Sequence, residues 1–111
     1  MGTTKRKDGE NVWVLSINME MTMDFQSALS LLKIGKCVAR SGWNGTGMFL
    51  YLVKGSEFVV NRPPLNEIMA EGTVVSYRAH IDMKTADGTC VPWLASQSDL
   101  LEDDWVEVLI K

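Results

Sequence analysis

The side chains able to do chemistry in this chain fall into four short clusters. The first is the loop Ser41-Gly42-Trp43-Asn44-Gly45-Thr46-Gly47, where a large flat indole sits among glycines. Such loops run over protein surfaces, and an indole held there can stack on a planar ligand, worth about 1–3 kcal/mol per base. The glycines let backbone N–H groups approach phosphate oxygens. The same tryptophan can instead fold back as a lid on the core. The second cluster is Asn61-Arg62-Pro63-Pro64. A rigid proline pair lowers the entropy cost of presenting the Arg62 guanidinium to a phosphate or carboxylate. Asn61 can donate to and accept from a base edge or a ribose. An ordinary turn with a solvated arginine accounts for the same residues.

The third cluster is Tyr77-Arg78-Ala79-His80-Ile81-Asp82-Met83-Lys84-Thr85. Strand alternation puts His80, Asp82 and Lys84 on one face and Ile81 and Met83 on the other. His80, the single histidine, suits acid/base work or a hydrogen bond to a nucleotide. A structural histidine tied to Asp82 or to the backbone is the competing reading. The fourth is Val91-Pro92-Trp93-Leu94-Ala95-Ser96-Gln97-Ser98-Asp99. Here Ser96 reads as a helix N-cap with Asp99 at the capping-box position, or both as hydrogen-bond partners facing a pocket. Trp93 reads as a core or subunit-contact residue, and Trp105 as a core aromatic.

Several reaction classes lack their motifs. There is no Walker loop, GxSxG elbow or HExxH helix, and one histidine with two distant cysteines makes no convincing zinc site. Carboxylates abound (Asp82, Asp87, Asp99, Asp103, Asp104), yet nothing in their spacing singles out a pair. No catalytic residues, metal or cofactor are expected, and ligand binding without turnover is the favoured reading. A net charge of −3 argues against DNA or RNA as a partner, since such binding needs a basic stripe. Lys5-Arg6-Lys7 reads as part of a solvated tail. The longest clean apolar run, Phe49–Val53, is far too short to cross a membrane, and no signal-peptide pattern follows the basic residues. Cys37 and Cys90 form no CxxC motif and read as reduced, partly buried small hydrophobes in a cytoplasm.

The elements that must position these clusters fit one domain of 111 residues. Residues 1–10 read as a mobile polar tail and Val12–Ile17 as a strand. Phe25, Ala28, Leu29 and Leu32 fall on one face of a helix, with Asp24 as N-cap, Lys33 in the last turn and Gly35 as the stop. Strands follow at about 36–40, 48–54, 58–60, 73–78, 80–86, 89–94 and 105–110, with a helical turn in 65–70 and another starting at Ser96. Asp87-Gly88 marks a hairpin. The prolines end the strand before them. A helix followed by many short strands gives an α+β fold, an antiparallel sheet covered by an N-terminal helix.

Five strings carry a resemblance. They are Ala39-Arg40-Ser41-Gly42-Trp43-Asn44-Gly45, Gly47-Met48-Phe49-Leu50, Asn61-Arg62-Pro63-Pro64-Leu65, His80 through Gly88, and Val91 through Leu101, closing at Asp104-Trp105. Together they resemble the second type of Thoeris anti-defence protein, carried by phages and prophages. The likeness runs from about Asp24 to Trp105, so residues 1–23 are expected to be an extension before a domain of 24–111. The resemblance implies a molecular sponge. Members bind the glyco-cyclic ADP-ribose isomer of Thoeris immunity, and some also bind cyclic dinucleotides, as homo-oligomers (dimers or tetramers) with pockets between subunits. It implies the cytoplasm of a bacterial host as the site of action. It makes pocket candidates of Trp43, Asn44 and Gly45 in the glycine loop, of Asn61 and Arg62, of His80 with Asp82, and of Ser96 with Asp99. Two other functions remain open at this point. One is a nucleotide hydrolase using His80 and Asp82; the other is an interaction module that blocks a defence enzyme.

Overall fold

The computed structural model describes residues 3–4, 15–17, 21–43 and 47–110. The first helix, α1 (Phe25–Lys33), starts where expected. The Asp24 carboxylate accepts from the Ser27 N–H at 2.9 Å, satisfying one of the donors every helix start leaves unpaired. It stops because Gly35 adopts φ +91°, a left-handed conformation that costs a side chain about 1–2 kcal/mol. Its apolar stripe buries Ala28 and Leu32 completely.

Among the described residues, nine short strands, a 3-10 turn and a second short helix make up the rest of the regular structure, and the strands sort into two sheets. The strands are β1 (Thr3–Thr4), β2 (Leu15–Ile17), β3 (Cys37–Arg40), β4 (Phe49–Val53), β5 (Ser56–Val59), β6 (Val74–Tyr77), β7 (His80–Lys84), β8 (Cys90–Pro92) and β9 (Trp105–Ile110). Seven of them pair in the order β1-β2-β9-β3-β4-β7-β8, every pairing antiparallel. The α+β class and the antiparallel sheet under an N-terminal helix are therefore as expected. Thr3–Thr4 departs from the expectation of a structureless tail by pairing with β2. Val12–Val14 of the anticipated first strand lie outside the described residues.

The helix α1 lies across β3, β4 and β9. Its stripe meets Val38, Leu50 and Trp105, all fully buried, with Ile81 and Met83 packed alongside. Burying a leucine such as Leu32 contributes about 1.5–3 kcal/mol. The opposite face holds a second cluster of Ala39, Phe49 and Val108. The register Tyr51↔Asp82 and Phe49↔Lys84 places Asp82 and Lys84 on this helix-free face. Ile81 and Met83 point toward the helix, as strand alternation predicts.

β5 and β6 form a separate two-stranded arm that grows out of the β4–β7 hairpin. Gly55 permits the departure. A Cβ there would stand 3.0 Å from the Tyr77 carbonyl oxygen and 3.4 Å from the Ala79 nitrogen, so a side chain would force the strands apart. The arm's far end closes through Asn61-Arg62-Pro63-Pro64 and a single 3-10 turn, Leu65–Glu67. The short helix α2 (Gln97–Leu101) begins with the capping box read from the sequence. Ser96 Oγ accepts from the Asp99 N–H, and Asp99 Oδ2 accepts from the Ser96 N–H, both at 3.0 Å.

Candidate functional site

The candidate residues separate into two groups at opposite ends of the central hairpin. The first is at the arm. Phe58 of β5 and Tyr77 of β6 stack with ring centroids 5.3 Å apart and planes 14° off parallel. Together with Asn61, Arg62, Pro63, Pro64 and Leu65 they line a hollow of about 290 Å³. Asn61 and Arg62 are exposed, and so are both rings. An open aromatic pair beside a guanidinium and a carboxamide offers stacking and anion pairing in one place.

His80 and Asp82 stand on the same side of β7, nearer the arm than the glycine loop. The His80 Nδ1–H donates to the Arg78 carbonyl at 3.1 Å, and Nε2 lies 3.6 Å from Asp82 Oδ1. That carboxylate oxygen is shielded from solvent and has no hydrogen-bond partner among the described residues. Of the two ties read from the sequence for a structural histidine, the one to the backbone is present, while Asp82 stands beside the ring without a hydrogen bond to it. On the same face, a separate apolar hollow of about 360 Å³ is lined by Cys37, Phe49, Tyr51, Lys84, Cys90 and Ile110. Hydrogen bonding to Cys90, followed by burial, pushes the Tyr51 hydroxyl up to about 12. Both thiols are free. Cys37 is half-buried as expected, but Cys90 is exposed, because β8 is the edge strand of its sheet.

The second group surrounds Trp43. Its indole is half-buried and meets Trp105 edge-on, centroids 5.5 Å apart at 77°. Phe25 and Trp93 also pack on Trp105, at 5.2 and 6.0 Å. Trp105 itself is fully buried, as the sequence indicates. Trp93 is half-buried rather than enclosed. Trp43 therefore rests on the core with part of its surface open, combining features of both readings of the loop. Asn44 and Gly45, its anticipated companions, lie outside the described residues.

Ser96 and Asp99 are near this group, and both are engaged within the chain. Besides its capping role, Asp99 accepts from Arg40 Nη1 at 3.0 Å through Oδ1, and its carbonyl accepts from the Trp105 indole N–H at 2.8 Å. Burial pushes the Asp99 carboxyl up, yet the Ser96 N–H and the Arg40 guanidinium outweigh it and hold the group below its ordinary value. Arg40 Nε also donates to Asp104 Oδ1 at 2.9 Å. That hydrogen bond lowers Asp104 in turn and raises Arg40.

Four residues of these two groups escape a reading of the sequence: Arg40, Asp104, Phe58 and Tyr77. Arg40 bonds partners 59 and 64 positions away, which no local pattern signals. Phe58 and Tyr77 meet only because β5 pairs with β6. Among the described residues no group of three or more His, Cys, Asp or Glu is placed to hold a metal ion, and no helix is long and apolar enough to cross a membrane.

Comparison with known proteins bears on most of the chain. Residues 23–108 match the Thoeris anti-defense 2-like domain. A protein of Bacillus phage SP01 named Thoeris anti-defense 2 is 37% identical over 97 residues, covering 78% of this chain and 96% of the relative. The match includes α1, both clusters on the sheet, the arm and α2. This chain belongs to the Thoeris anti-defense 2 family, and its role is an anti-defence one.

Proposed function

We propose that the protein serves a phage or prophage by binding a cyclic nucleotide immune signal, a glyco-cyclic ADP-ribose or a cyclic dinucleotide, and holding it unchanged. The observation that carries this reading is the hollow on the arm, where Phe58 and Tyr77 stack beside Arg62 and Asn61. A base needs an aromatic platform, and its phosphate needs a planar, always-charged donor. At about 290 Å³ the hollow lies at the small end of the ~300–1,000 Å³ range of ligand pockets. It has room for part of a cyclic nucleotide. Trp43 stands beyond the far end of β4, whose five residues span roughly 17 Å. One ligand touches both Trp43 and Arg62 only where two copies meet, so a homo-oligomer with shared pockets belongs to this proposal. His80 and Asp82 would then border the pocket rather than drive a reaction, since the His80 Nδ1–H is held by a carbonyl and the free Asp82 oxygen is shielded. The site of action in this reading is the host cytoplasm, and residues 1–23 are an extension ahead of the binding domain.

The test is a thermal-shift panel of cyclic ADP-ribose isomers and cyclic dinucleotides. A bound ligand stabilises by RT ln(1 + [L]/Kd), about 2.7 kcal/mol at 100 Kd. The stabilising compound should be recovered intact after heat denaturation, in stoichiometric amount. Arg62→Ala should weaken its binding by about 10- to 100-fold, matching the ~1.5–3 kcal/mol of a hydrogen bond to a charged group. Recovery of hydrolysed product alone, or no stabilisation by any member of the panel, overturns the proposal.

A further inference from the structure

The position of Trp43 is set from outside its own loop. Its backbone N–H donates to the Arg40 carbonyl at 3.2 Å. The preceding Gly42 N–H donates to Asp104 Oδ2, also at 3.2 Å. Arg40 Nε and Nη2 reach the two oxygens of that same Asp104 at 2.9 and 3.4 Å, and Nη1 reaches Asp99 Oδ1 at 3.0 Å. One guanidinium thus spans two carboxylates, and one of these also grips the turn that carries the indole. The turn and the carboxylate are in close contact, because a Cβ at position 42 would stand 3.0 Å from Asp104 Oδ2.

A second route runs to the ring itself. Asp99, held by Arg40, presents its carbonyl to the Trp105 indole N–H at 2.8 Å, and Trp105 is the surface on which the Trp43 ring rests. Arg40 is mostly enclosed, with 16% of its side chain exposed. We infer that Arg40, bridging Asp99 and Asp104, is the positioning residue that fixes where the Trp43 indole stands to meet ligand. This rests on the reading of Trp43 as a ligand contact. Lysine cannot replace it, since a single ammonium lacks the planar fork that spans two carboxylates at once.

The experiment uses the full chain labelled with 15N, with the indole N–H resonances of Trp43 and Trp105 assigned from Trp43→Phe and Trp105→Phe. Arg40→Lys and Asp104→Asn are compared with wild type by far-UV circular dichroism, by the indole resonances, and by calorimetric titration with glyco-cyclic ADP-ribose. Both variants should keep the wild-type circular dichroism, displace the Trp43 resonance and bind at least tenfold more weakly. Asp104→Asn preserves shape and serves as the reading if Arg40→Lys does not fold. A folded variant with the Trp43 resonance unmoved and wild-type affinity refutes the inference. Trp43→Ala separates the two claims. If it binds like wild type, or if wild type ignores the probe, the functional reading of Trp43 fails, while the ligand-free resonances still decide whether Arg40 positions the ring.

Discussion

Trp105→Phe tests whether the structural hub beneath the candidate site carries the weight its contacts suggest. The indole is fully buried and donates to the Asp99 carbonyl at 2.8 Å. A phenyl ring removes the donor and leaves that carbonyl without its partner, costing about 1–3 kcal/mol. The lost ring volume leaves space near Trp43 and Trp93. At about 24 cal/mol per Å³ of residual cavity, a void the size of one water's share of the liquid, roughly 30 Å³, adds about 0.7 kcal/mol. The edge contacts with Trp43 and Trp93 weaken by a fraction of the ~0.5–1.5 kcal/mol each is worth. The total is about 2–4 kcal/mol, below the ~5–15 kcal/mol stability of an ordinary domain, so the variant folds. At about 4 °C per kcal/mol for a chain of this size, Tm should fall by roughly 8–16 °C. In guanidinium titrations followed by circular dichroism, the midpoint should drop at constant slope. A Tm within about 3 °C of wild type would show that the indole bond and the aromatic stack contribute little, and the account of how Trp43 is seated would fail with it.

Acid should destabilise the protein through Asp99, Asp104 and Asp87. All three are lowered in the folded state: Asp104 by its hydrogen bond from Arg40, Asp99 by Ser96 and Arg40 against burial, and exposed Asp87 to about 2 by Thr85 and Thr89. A carboxylate with a lowered folded value stabilises fully above its unfolded value, near 4, and that share vanishes as pH falls through the folded one. Tm should be level above about pH 5 and fall steadily toward pH 2, with a shallower fall in Asp104→Asn; a fall of equal slope in that variant contradicts the assignment. Gly35→Ala meets no atom within 4 Å, so its cost is purely conformational, about 1–2 kcal/mol, and Gly35→Asn should lose measurably less in chemical denaturation. A maleimide probe should label exposed Cys90 quickly and Cys37 slowly, since burial and the nearby Glu107 charge push the Cys37 thiol up; mass spectrometry of tryptic peptides reads both rates, and equal rates would count against the packing of β3.

What could be read from the sequence was whatever its own neighbours determine. The helix α1 is written in Asp24, the Phe25-Ala28-Leu29-Leu32 stripe and Gly35. The capping box of α2 lies within four residues, and β9 matches its reading residue for residue. Strands β7 and β8 are shorter than their residue patterns predict at the hairpin end, because Thr85 and Thr89 bond each other and Asp87 to close the turn. The site divides in the same way. Asn61-Arg62-Pro63-Pro64 stands out by itself, since a proline pair stiffens whatever precedes it, but its aromatic walls come from two strands whose pairing depends on Gly55 passing close to the Tyr77 backbone. Trp43 shows the limit most clearly. Its glycine neighbours permit either an open platform or a lid, and no local feature decides between them. The decision is made by Trp105, Asp104 and Asp99 at the other end of the chain, delivered by the antiparallel β3–β9 register in which Arg40 faces Trp105. A loop that is free by composition becomes fixed by that register, which is why the side chain governing the loop is a strand arginine that carries no motif of its own.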